Sequence, residues 1–242
     1  MSVPIKAFFG GKPKPSMSLY MTPVFNTTAG NKSLSVNAAV GDLIIVCCCC
    51  TDNSAQAVAD DQGGQYVVIG GAAVGGSTGI VRYYARTALV TVGGGHIITC
   101  TMAAATGGGI AAYQVKGMAA AGGGVARSLG QLGNQTAAVA PAPVLSLTPQ
   151  LQNFIFGTCF MVNGTSVAPR AGYTEDFDST YATPATGWQL MHRPGGETSA
   201  TITWGGAPVG ATSWGAFAWE LNISATTELE IKQLPGDTVE PL

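Results

Sequence analysis

"LIIVCCCC", residues 43–50, decides how this chain folds. The run is far shorter than the ~18–20 apolar residues of a membrane-spanning helix. Successive side chains on a strand point to opposite faces. Leu43, Ile45, Cys47 and Cys49 therefore share one face, and Ile44, Val46, Cys48 and Cys50 the other. Both faces are apolar, which is the pattern of a central strand covered on each side. The four consecutive cysteines then read as packing residues, because a free thiol behaves as a small, readily buried hydrophobe. Neighbouring cysteines on a strand diverge, and neither His96 nor His192 stands at a zinc-finger spacing. A disulfide from this strand to Cys100 requires the two strands to be neighbours, which the sequence leaves open.

The segment has a partner further along. "SLSVNAAVGDLIIVCCC" from Ser33 aligns without a gap to "VLSLTPQLQNFIFGTCF" from Val144. Leu34 meets Leu145, Val36 meets Leu147, Val40 meets Leu151 and Cys48 meets Cys159. The likeness continues in order: "GGQYVVIG" (63–70) with "AGYTEDF" (171–177), "TGIVRYYAR" (78–86) with "TGWQLMHRP" (186–194), "HIITCTM" (96–102) with "SATITWG" (199–205), and "GIAAYQVKG" (109–117) with "WGAFAWELN" (214–222). These runs are rich in Val, Ile, Thr and aromatics and are separated by glycine-rich turns, the signature of an antiparallel all-β sandwich.

The expected architecture is an all-β, jelly-roll-like antiparallel sandwich built from two related halves. Its parts are an extended N-terminal arm (1–32), a first β half (33–118), a Gly/Ala-rich link (119–143), a second β half (144–223) and an acidic tail (224–242). No helix longer than a turn or two is expected; the best candidate is "VARSLGQLGN" (125–134), where Leu129 and Leu132 stand at helical spacing and Gly130 interrupts.

Composition narrows the function classes. Only 10% of residues are charged, against a usual ~25%. Such a chain exposes little that keeps a free monomer soluble, which favours a surface covered by neighbours and a homo-oligomer. The net charge of −2 argues against a nucleic-acid partner. The N-terminus lacks a signal-peptide core, so the expectation is cytoplasmic synthesis without a membrane, and the sequons at Asn26, Asn134, Asn163 and Asn222 read as accidental.

Chemical motifs are few. "GGSTG" (75–79) matches a nucleophile-elbow pattern but falls between strands rather than on a strand-to-helix turn. "GGKPKPS" (10–16) lacks phosphate-loop spacing. "ADDQGG" (59–64) and "TEDFD" (174–178) gather carboxylates that could hold calcium, yet neither has EF-hand spacing, and both read as solvated turns. No catalytic residue, metal or cofactor is expected. All four tryptophans fall in the second half and read as core.

The two ends differ in sign. Residues 1–32 carry Lys6, Lys12, Lys14 and Lys32 and no acid, while Glu220, Glu228, Glu230, Asp237 and Glu240 follow against one Lys232. Docking of arm and tail on neighbouring subunits, basic on acidic, is the expectation, with Lys6, Phe8, Phe9, Lys12, Lys14, Tyr20, Glu228, Glu230, Asp237 and Glu240 as contact residues.

The strand order, with "GDLIIV" opening one half, "GYTEDF" in the other and "SATITWGGA…WGAFAWEL" closing it, resembles β-sandwich modules of tailed-bacteriophage virion proteins across residues 33–223. The resemblance implies a non-enzymatic structural role in the virion, as a head decoration or cement protein bridging major capsid subunits. The alternative is a tail, fibre or lectin-like module that binds host-surface carbohydrate through Tyr173, Trp188 and Trp204. An enzyme of the glycan-hydrolase kind would need two facing acids, with Glu175, Asp176 and Asp178 the only cluster to test.

Overall fold

The computed structural model describes residues 15–19, 23–51, 56–64, 66–74, 79–87, 96–102, 107–116, 125–136, 138–183, 185–210 and 213–223. Among these residues every regular element is a strand and every pairing is antiparallel. The all-β sandwich expectation therefore holds.

The central sheet contains β1 (Ser16–Leu19), β2 (Val24–Asn26), β4 (Leu43–Cys50), β6 (Val67–Val74), β7 (Gly79–Thr87) and β9 (Gly108–Lys116). Its order is β1-β9-β4-β7-β6, with β2 also on β9. A three-stranded sheet of β3 (Lys32–Val36), β8 (His96–Met102) and β5 (Gln56–Asp60) has β8 in the middle. The third sheet is made of β10 (Ala126–Gln135), β11 (Phe154–Val162), β12 (Thr174–Ala182), β13 (Ala185–Arg193) and β14 (Ser213–Leu221), ordered β10-β14-β11-β13-β12.

The central strand "LIIVCCCC" does what its two apolar faces demand. Leu43, Ile45, Cys47 and Cys49 pack toward the five-stranded sheet, among Phe154, Phe156, Phe160, Trp188 and Trp219. Ile44, Val46, Cys48 and Cys50 pack toward the three-stranded sheet, among Leu34, Val58, Ile98 and Cys100. All six cysteines are buried and none is in a disulfide. Burial pushes the thiols of Cys47, Cys48, Cys49 and Cys159 well above their ordinary range. The outer face of the five-stranded sheet is covered by irregular chain, with Leu145, Val167, Tyr173, Ile202 and Trp204 completing a third core. Val144 and Thr201 form a single bridge there. Leu145, Ile202 and Trp204 donate to Ala200, Pro143 and Pro141. Prolines 141 and 143 have no N–H to give back, so this counterpart of the three-stranded sheet stays a sparse ladder.

Three expectations are corrected. Residues 126–135 form strand β10, not a helix: Leu129 pairs with Trp219 and Gly130 with Ala218 of β14. A Cβ at Gly130 would lie 2.6 Å from the main chain of Val144, so the close approach of that segment selects glycine. Part of the span read as an extended arm is built into the body, since β1 and β2 extend the central sheet alongside β9. Glu220, counted with the acidic end, is a fully buried residue of β14 that accepts from Arg127, Asn153 and the Gln150 amide.

Candidate functional site

The residues singled out from the sequence divide sharply. Lys6, Phe8, Phe9, Lys12, Lys14, Tyr20, Glu228, Glu230, Asp237 and Glu240 all lie outside the described residues, as does most of "GGSTG". Tyr173, Trp188 and Trp204 are described, and all are buried. Trp188 Nε1 donates to Thr158 Oγ1 at 3.0 Å, Trp204 Nε1 to Gln189 Oε1 at 2.6 Å and Tyr173 Oη to Glu197 Oε2 at 2.9 Å. Their polar atoms are used inside the fold, so these three rings offer no open stacking face for a sugar. The four tryptophans are core residues, as the sequence suggested.

Of the two carboxylate clusters, "ADDQGG" does end in an exposed turn at Asp61 and Gln62, as expected, whereas the other is not a turn. "TEDFD" lies on β12, with a bulge between Glu175 and Phe177. Asp176 faces inward, with its oxygens 2.7 and 2.8 Å from His192 Nδ1 and accepting from Tyr113 Oη at 2.9 Å. Asp178 is raised above the usual carboxylate range, first by burial and then by the neighbouring charge of Glu175. In "ADDQGG", Asp60 ends β5 with its side chain fully enclosed, while Asp61 is half-exposed. Together with His96 of β8 they form a cluster whose donor atoms all lie within 4.8 Å of one another. The sequence reading missed His96 here. The signal was an acidic strand end and a histidine strand start that an antiparallel pairing of β5 with β8 would bring together.

The most distinctive surface is the outer face of the three-stranded sheet. Alternation places Ser33 and Ser35 of β3, Ala57 and Ala59 of β5, and Ile97, Thr99 and Thr101 of β8 outward. The register sets Ser33 and Ala59 on either side of Thr99, Ser35 beside Ile97 and Ala57 beside Thr101. Ser33 Oγ and Thr99 Oγ1 are hydrogen-bonded at 2.8 Å. None of these seven side chains is charged. The sheet's charged residues, Lys32 and Asp60, and its histidine, His96, all occupy inward positions. This inverts the usual arrangement, in which outward positions carry the charge.

A second uncharged element adjoins solvent. β6, "VVIGGAAV", is an edge strand with no lysine, proline or acid to block pairing. Its C-terminal part is covered: a Cβ at Gly133 of β10 would lie 3.2 Å from the Ala73 carbonyl. Its N-terminal part is open, with Val67 73% and Val68 53% exposed.

No family model matches this chain. Comparison with curated proteins gives no match, and comparison with solved structures gives none.

Proposed function

We propose that the protein is a non-enzymatic structural subunit of a bacteriophage virion, a decoration or cement protein that bridges major capsid subunits. The observation that carries this reading is the uncharged outer face of Ser33, Ser35, Ala57, Ala59, Ile97, Thr99 and Thr101. Free of charge and built mostly of small side chains, it suits close contact with another protein surface and does little for solubility. Among the described residues β6 ends its sheet, and exposed Val67 and Val68 at its start suit the addition of a neighbour's strand. Three layers of sheet make the body rigid, so contacts repeated over a symmetric lattice add through avidity. The arm and tail residues named above would extend the reach to adjacent subunits and to further copies of this chain. The burial of Tyr173, Trp188 and Trp204 weighs against the carbohydrate-binding alternative.

The test is density-gradient sedimentation of material from the native source. The chain is expected to band with megadalton particles and to remain there through a salt wash. A chain found only at the top of the gradient contradicts the proposal.

A further inference from the structure

At one end of the three-stranded sheet, β5 runs into a tight turn. The Asp61 amide donates to Ile97 O at 3.1 Å and the Gly63 amide to Asp60 O at 3.2 Å. The turn carries Asp60 and Asp61 to the start of β8, where His96 is only 3% exposed. His96 Nε2 lies 3.2 Å from Asp60 Oδ2, and its Nδ1 lies 3.4 Å from Asp61 Oδ1. Neither approach has hydrogen-bond alignment, and among the described residues neither ring nitrogen has a hydrogen-bond partner. A buried imidazole left so costs stability, and each of its nitrogens lies within 3.4 Å of a different carboxylate.

Asp60 closes an Asx turn. Its Oδ1 accepts the amides of Gln62 at 3.1 Å and Gly64 at 2.8 Å, which fixes the carboxylate and turns Oδ2 toward His96. Hydrogen bonds of this kind orient ligating side chains. The donor atoms of the three residues all lie within 4.8 Å of one another, so a modest inward shift of the side chains would bring them to the ~3.4 Å donor separation of a tetrahedral zinc site.

We propose that Asp60, Asp61 and His96 bind a divalent transition-metal ion of the zinc class. Two carboxylates neutralise its charge, and the imidazole nitrogen selects zinc-like ions over calcium or magnesium, which take oxygen donors. The half-exposed Asp61 places one side of the ion toward solvent. The ion would tie the turn after β5 to the start of β8 and stiffen the end of the uncharged face.

The test uses tag-free, full-length protein stripped with a chelator and then titrated calorimetrically with zinc chloride. Cobalt(II) absorption reports the donor set. Wild type is expected to take up one ion per chain saturably. Asp61→Asn, a half-exposed position that leaves the core intact, should weaken uptake at least tenfold. His96→Gln, checked for folding by circular dichroism, should weaken it further. Absence of saturable uptake, wild-type affinity in Asp61→Asn, or calcium bound as tightly as zinc each overturns the proposal.

Discussion

Tyr113 of the central sheet donates its hydroxyl to Asp176 of the five-stranded sheet at 2.9 Å, and His192 of β13 closes on the same carboxylate from 2.7 Å. Together with Tyr83 Oη, which donates to Gly157 O at 3.3 Å, this polar contact joins the two largest sheets inside a mainly apolar interface. Tyr113→Phe removes a hydrogen bond to a carboxylate, worth about 1.5–3 kcal/mol. Chemical denaturation should show that loss with an unchanged m-value. An unchanged midpoint would show that the bond contributes nothing.

Glu220 makes a larger prediction. It is fully buried, 2.6 Å from the Arg127 guanidinium, and accepts from Asn153 Nδ2 at 2.7 Å and from the Gln150 amide at 2.8 Å. Glu220→Ala strips several donors of their acceptor at once. Removing one partner of a buried pair costs about 3–5 kcal/mol, so equilibrium unfolding should register a loss of that size.

Glu197 makes stability depend on pH. Burial opposes its ionisation, but the Ser199 amide, the Tyr173 hydroxyl, Arg170 and the Thr198 amide outweigh that and hold the carboxyl below its usual range. A carboxyl lowered on folding stabilises the native state above its unfolded value, about 4.3, and that contribution is lost as pH falls through the folded value. The melting temperature of wild type should therefore fall more steeply below pH ~4.3 than that of Glu197→Gln. Parallel curves would remove Glu197 as the cause.

Glycine at 109 is dictated by Trp188. A Cβ there would lie 2.5 Å from the indole and 2.9 Å from the Val24 carbonyl. Gly109→Val should cost more than the ~1–3 kcal/mol of ordinary overpacking. Gly206→Ala, where a Cβ meets nothing within 4 Å, serves as the control and should leave the melting temperature unchanged.

The strands β4 and β11 were legible because their apolar faces follow strand periodicity without interruption, and a strand covered on both sides admits few other readings. β10 was not. Leu129 and Leu132 happen to stand three apart, and the irregular register between Leu132 and Gln135 blurs the alternation that would have marked a strand. The burial of Glu220 was hidden for a related reason: its partners Arg127, Gln150 and Asn153 come from segments far apart in the chain, as do Asp60 and His96. The uncharged face could be read only once the register of β3, β8 and β5 fixed which small residues point outward.

The central claim is that this outer face is covered in the assembled particle. Ala57→Lys with Thr101→Lys places two charges on adjacent outward positions of β5 and β8 without touching the core. The double variant should keep the wild-type melting temperature and lose its co-sedimentation with particles. Retention on the particles at the wild-type level would contradict the account.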